Sequence, residues 1–232
     1  MKLSQLKIDP EFQSKIPPLQ FEEEQQLEQN IIAEGRLLNP IITWNGYILD
    51  GHTRYRILKK HGFIKFEVEE IQLANKYEAL AWICKNQLGR RNLSPERKKF
   101  LLGKEYESTK LAVGGQPGNC NKVNRCDQND HIDSEKRTCE RIAVEHGVGS
   151  ATVRRAENYM NGVEAADEAA PGAREEILNG KIKAADREIC AIAKAPKEQR
   201  PEIVAELRKP KSERDKQLAS STKKPFREGR IF

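Results

Sequence analysis

The chain has 232 residues, 37% hydrophobic and 33% charged: enough apolar material for one modest core or two small ones, too little for a large enzyme core. No run approaches the roughly 18 consecutive apolar residues of a membrane span, and the first residues lack the apolar centre of a signal peptide, so the chain reads as soluble and intracellular. The formal net charge of +6 points to a polyanionic partner, and the excess is local: 10 basic against 3 acidic residues over 85–126, and 9 against 3 over 208–232.

Residues 1–20, with paired Pro17 and Pro18, read as an extended lead-in. Residues 21–34 then set Leu27, Ile31 and Ile32 among acids, the pattern of an amphipathic helix, with Gly35 as its stop. Residues 40–44 and 47–50 are short apolar runs around Asn45-Gly46, which predicts a tight hairpin. Residues 52–61 form a helix with Tyr55 and Leu58 on one face, ended by Gly62, and residues 66–73 alternate as a strand. A one-sided helix follows over 76–88. Ser94-Pro95-Glu96 then supplies a cap, a first-position proline and a first-turn acid for a helix reaching about Leu111.

Beyond Val113 the chain is rich in Gly, Asn and Asp, which predicts a flexible loop between domains. Residues 135–207 are helical in pattern, with breaks at Gly147, Pro171-Gly172, Gly180 and Pro196, and the last 25 residues read as a disordered basic tail. The expected organisation is an α+β domain over 1–112, a loop over 113–134, an all-α domain over 135–207 and a tail over 208–232.

Two segments carry functional signals. Residues 140–160 have the layout of a helix-turn-helix: a small Ala143 where two helices would cross, Gly147 where the turn needs positive φ, and Ile142, Val148 and Val153 as apolar pegs. Ser150 would cap the second helix. Thr152, Arg154, Arg155 and Asn158 would project from its outer surface, able to bond base edges and phosphates in a major groove. The blander alternative is a helical hairpin with solvated arginines.

The second segment runs from Leu49 to Arg56. A strand ends at Gly51 and a helix opens with His52, Thr53, Arg54 and Arg56, so free amides and guanidinium groups suit a phosphate. The alternative is a plain strand-to-helix turn.

Residues 21–63, with the runs EGRLLNPII and YILDGHTRYRILKKHGF, resemble the ParB partition family's N-terminal domain, also described as a ParB-like nuclease domain. Gly51, Arg54 and Arg56 match that family's Gly-Glu-Arg-Arg-x-Arg-Ala box, which binds the triphosphate of CTP; His52 and Thr53 stand where the box has Glu and Arg. The segment from Asn86 to Pro95 is similar to the next family box through Leu88, Arg90, Leu93 and Pro95, while Asn86 and Gln87 replace the acid and asparagine linked to metal and hydrolysis. The spacing from Gly35 to Pro40 is one residue longer than the family's.

The resemblance implies a phosphate pocket of Gly51, His52, Thr53, Arg54, Arg56 and Arg90, taking CTP with magnesium. It also implies double-stranded DNA as partner, a homodimer, a partition ATPase as further partner, and a cytoplasmic place on nucleoid or plasmid. The resemblance as it stands leads to the expectation that the family's C-terminal dimerisation domain has no counterpart among these residues.

Three further features carry more than one reading. Arg90, Arg91, Arg97, Lys98, Lys99 and Lys104 read either as a solvated face over Phe100, Leu101 and Leu102 or as a phosphate-tracking surface. Cys120, Cys126, His131 and Cys139 have spacings unlike a zinc knuckle, so no metal site is assigned, and the five cysteines read as reduced thiols, Cys84 and Cys190 in the core. His52 has no acid–base partner nearby in sequence except Asp50, so no catalytic residue is assigned. The expected function is sequence-specific DNA binding in partition or local transcription control. The rival is a nuclease or nucleotide triphosphatase delivered to DNA by the helical domain.

Overall fold

The structure, a computed structural model, describes residues 2–90, 92–113, 137–210 and 213–214. The expected loop beyond Val113, most of the expected tail, Arg91, and three of the four potential zinc ligands (Cys120, Cys126, His131) lie outside the described residues. The described chain is mixed α+β, a small sheet followed by a helical region. It divides into two compact units, Met1–Arg91 with Lys104–Ser150, and Asn92–Gly103 with Ala151–Phe232. Among the described residues no helix is long and apolar enough to cross a membrane.

The first unit opens on a short 3-10 turn, Leu3–Gln5, and helix α1, Pro10–Ser14. The expectation of a purely extended start is thereby corrected: Asp9 accepts the Glu11 N–H at 2.8 Å and Pro10 takes the first helical position, a sufficient start signal for one turn. Helix α2 spans Phe21–Glu34 and ends at Gly35, whose φ of 65° is the left-handed stop that a glycine supplies.

Strands β1 (Ile41–Trp44) and β2 (Tyr47–Asp50) form the antiparallel hairpin across Asn45-Gly46, both at positive φ (49° and 76°), as a type I′ turn requires. Helix α3, His52–Lys60, then crosses over to β3, Val68–Glu70, which pairs parallel to β1 and gives the order β2-β1-β3. The strand expected over 66–73 is shorter than its alternation implied, because β3 has a neighbour on one side only. Its continuation is tied down by Trp44, whose Nε1–H donates to Leu73 O at 2.9 Å. Helix α4 spans Lys76–Leu88, capped by Asn75.

Adjacent strand residues face opposite sides, and β2 uses both. Ile48 packs with Ile31 of α2 and Tyr55, Ile57 and Leu58 of α3. Leu49 packs on the other face with Phe12 of α1 and Ala79, Leu80 and Ile83 of α4. The sheet is therefore a filled middle layer, and an Ile48→Ala cavity in it costs about 3 kcal/mol.

Helix α5, Pro95–Ala112, runs from the second unit into the first. Helix α6 is Thr138–Glu145 and α7 is Ser150–Ala169; α8 (Ala173–Leu178), α9 (Asp186–Lys194) and α10 (Arg200–Arg208) complete the second unit. There α7 is mounted by two glycine approaches. A Cβ on Gly103 would lie 2.3 Å from Ala156 O, and one on Gly162 would lie 2.2 Å from Ile189 O. After α10, Arg214 is buried, its guanidinium donating to Lys183 O at 2.6 Å and to Glu188 Oε1 at 3.1 Å.

Candidate phosphate and nucleic-acid sites

The first site is the junction of β2 and α3. Gly51 has φ 100°, open to glycine and strained for other residues, and it ends the strand and caps the helix in one residue. Its carbonyl accepts from Tyr55 N–H at 2.8 Å, and no side chain caps the first-turn amides. A Cβ at Gly51 would sit 3.1 Å from Arg54 Nη2, so the glycine lets that guanidinium fold back over the start of α3.

Asp50 organises the arginines. Its Oδ2 accepts from Arg54 Nη2 at 2.7 Å and its Oδ1 from Arg90 Nη2 at 3.0 Å. Arg54 Nη2 also donates to Pro40 O at 3.0 Å, while its buried Nε has no partner. Arg56 leaves this group: it pairs with Glu24 of α2 at 3.2 Å and lies 3.4 Å from Thr53 Oγ1. The junction thus brings Gly51, Arg54 and Arg90 together around Asp50, with Thr53 and Arg56 on the side toward α2. In the sequence Asp50 stands only as a lone acid near His52; its spacing of four from Arg54 is the available signal, whereas its contact with Arg90 spans forty residues.

His52 is 6% exposed, and neither ring nitrogen has a hydrogen-bond partner. Burial pushes its pKa down to about 4, with the Arg56 charge adding to the shift and Asp50 opposing it. The ring is therefore neutral near pH 7 and adds no charge to the site. Gln87 on α4 is also fully buried, and its amide has no partner.

Arginines 54 and 90 and the α3 amides are donors suited to a phosphate. Asp50 commits both oxygens to arginine, and residues 86 and 87 are amides, so none of these three positions offers an uncommitted carboxylate. Among the described residues no three His, Cys, Asp or Glu side chains gather as a metal site, and Cys139 is buried within α6.

The second site is the turn after α6 and the start of α7. Gly147 has φ 64°, and Val148 N–H donates to Ala143 O at 2.9 Å. Ile142, Ala143 and Val153 are each buried, whereas Val148 is 37% exposed. The expectation of Val148 as an apolar peg is corrected: Val148 serves the turn through its backbone and leaves its side chain outside. The turn is tethered on its near side by His146, whose Nε2 lies 2.8 Å from Glu105 Oε2, and by a Lys85–Glu145 ion pair. Glu105 is buried, and burial raises its carboxyl pKa while His146 opposes the rise.

Ser150 is the first residue of α7, and Thr152, Arg154, Arg155 and Asn158 are all exposed. At 3.6 residues per turn these four cover an arc of about 160° over the first turns, with Val153, Ala156 and Met160 buried opposite. Neither Arg154 nor Arg155 makes an ion pair with a described acid. The block over 85–104 differs: Arg97 pairs with Glu175, Lys99 with Asp186 and Lys104 with Glu107, above a buried Phe100, Leu101 and Leu102. Of its two readings, the cover over a core describes these cations.

No family model matches the chain, and no curated protein matches it. Solved structures do. The N-domain of a pNOB8-like ParB is 18% identical over 93% of this chain and 86% of its own, with a TM-score of 0.53. Another pNOB8-like ParB N-domain structure is 14% identical, covering 96% and 95%, with a TM-score of 0.45. C-terminally truncated ParB of Caulobacter crescentus, complexed to the centromeric parS site, is 17% identical, covering 89% and 94%, with a TM-score of 0.38. The chain has the fold of a ParB N-domain, an α+β unit followed by helices.

Proposed function

We propose that the chain is a ParB-like protein that binds double-stranded DNA in plasmid or chromosome partition or in local transcription control. Residues 140–160 act as its helix-turn-helix. Ser150, Thr152, Arg154, Arg155 and Asn158 contact the DNA, the arginines supplying phosphate and base-edge bonds. The observation that carries this reading is the start of α7: two arginines, exposed and without a described acidic partner, directly after a glycine turn. A solvated arginine face needs no such turn, and the other cations of this chain named above are mostly paired.

The N-terminal unit binds nucleotide phosphate, of the CTP kind, at Gly51, His52, Thr53, Arg54, Arg56 and Arg90. The unpartnered Arg54 Nε and uncapped α3 amides support it. Turnover is not part of the reading, because Asn86 and Gln87 offer no carboxylate at the position where the resembled family hydrolyses. Pairing on two half-sites, a partition ATPase as partner, and a cytoplasmic place on nucleoid or plasmid complete the proposal.

Sequencing of the DNA fragments retained by the purified chain, with and without CTP, tests it. The expected result is one enriched, two-fold symmetric motif, lost in the Arg154→Ala, Arg155→Ala double variant. Fragments without a shared motif would overturn sequence-specific reading.

A further inference from the structure

We propose that the outer edge of β3 is a docking site for an extended, basic segment of a partner protein, which adds to the sheet as a further strand. The site lies within the first unit and is separate from both sites described above.

The two edges of the sheet are finished differently. The edge at β2 is closed by the chain itself: Lys7 N–H donates to Gly46 O at 2.9 Å, and Lys7 O accepts from Ile48 N–H at 2.9 Å. The other edge is β3, and among the described residues no strand flanks its outer side. Its hydrogen bonds fix which backbone groups face which way. Ile41 N–H donates to Glu67 O at 3.0 Å, Ile71 N–H donates to Thr43 O at 2.9 Å, and Ile41 and Thr43 stand opposite Val68 and Glu70 in the parallel register. In such a ladder alternate residues serve the inner neighbour. Residues 67, 69 and 71 do so here, which turns the N–H and C=O of Val68 and of Glu70 outward. A row of outward donors and acceptors on a strand held in place by a packed sheet is a template for an added strand, whose main-chain bonds form whatever its side chains are.

The side chains of the edge select the occupant. Three of the five residues from 67 to 71 are glutamates, and Glu67, Glu69 and Glu70 are all exposed. Because successive strand residues face opposite sides, Glu67 and Glu69 flank the edge on one face and Glu70 on the other. None of the three makes an ion pair with a described residue. Like charges set opposite one another across two strands are unfavourable and opposite charges are favourable. A second copy of this chain pairing through the same edge would bring two glutamate-rich runs together. An extended segment with lysine or arginine at alternate positions places its cations against these carboxylates while its backbone meets Val68 and Glu70.

Fluorescence anisotropy of a labelled synthetic heptapeptide of alternating lysine and threonine, titrated with the full chain, tests this. Two further probes are the same peptide methylated at its backbone nitrogens, and one with glutamate in place of lysine. Wild type should bind the lysine peptide, and bind each of the other two at least about tenfold more weakly. Glu70→Gln removes one charge and should weaken the lysine peptide about threefold. Glu70→Pro also removes an outward N–H while sparing the bonds to β1, and should weaken it about tenfold. Should the proline variant lose its circular dichroism spectrum, the methylated peptide decides the same point on the wild type. Equal binding of the lysine peptide and its methylated form would show charge attraction without strand addition and overturn the proposal. Equal binding of the lysine and glutamate peptides would overturn the basic occupant, and absence of binding by the wild type would overturn the site. Self-association of the wild type in sedimentation, lost in Glu70→Pro, would make a second copy the occupant and overturn the proposal as well.

Discussion

The starts of α3 and α7 are both built from a glycine at positive φ, a helix beginning within three residues of it, and two arginines within the first six helical positions. They differ in what surrounds the charge. At α3, Asp50 and Glu24 each hold an arginine, and the site's third cation, Arg90, is spent on the same Asp50. At α7, Arg154 and Arg155 are exposed and make no ion pair with a described acid. An arginine already bound to a carboxylate must give up that partner before it can hold another anion, whereas an unpaired exposed arginine need not. Under the function proposed above, the α7 start would meet a duplex directly and the α3 start would take its ligand in exchange for an acid.

The contrast can be broken most severely at the mount of α7. Gly103→Ala drives a Cβ toward Ala156 O, which has no room to yield. Urea denaturation should show a loss of about 3 kcal/mol. Unchanged stability would mean that the close approach of α5 and α7 is not a structural requirement.

A comparable effect at the α3 start comes from acid. His52 has a folded pKa of about 4 against an ordinary 6.5. Above pH 6.5 the ring is neutral in both folded and unfolded chains and costs nothing by titration. As pH falls below 6.5 the unfolded chain takes a proton that the folded one refuses. Stability is lost progressively down to about pH 4, by about 3 kcal/mol in all. His52→Leu should abolish this part of the acid dependence in thermal melts from pH 7 to 4, and a parallel acid loss in the variant would contradict the assignment.

The smallest effect is expected at Arg56, half exposed and paired with Glu24. Arg56→Ala should change stability by about 0.5 kcal/mol or less, while weakening tripolyphosphate binding if Arg56 serves the pocket. A large stability loss would show that the Glu24 pair is structural.

What the sequence revealed follows the range of the interactions. Helix α2, its Gly35 stop and the Asn45-Gly46 hairpin are local patterns, and they appear within a residue of where the periodicity placed them. The exposed face of α7 was likewise readable, since helical spacing alone decides which of Thr152, Val153, Arg154 and Arg155 look outward. Helix α1 was signalled only by Asp9-Pro10 over a single turn, too short for any apolar period. Val148 looked like a peg because valine in a turn is commonly buried, but here its backbone N–H is what the turn uses. The state of the arginines could not be read at all, because Asp50 with Arg90 and Glu24 with Arg56 are pairs that only the packing of α2, α3 and α4 around the sheet creates.

The functional side of the comparison turns on whether the exposed arginines of α7 are used. Binding of a selected DNA duplex by the wild type and by the Arg154→Ala, Arg155→Ala double variant, measured by fluorescence anisotropy across a series of salt concentrations, tests this directly. The prediction is an affinity about 100-fold lower for the variant at moderate salt, with a salt slope smaller by about two and an unchanged melting temperature. Equal affinity and equal slope would contradict it.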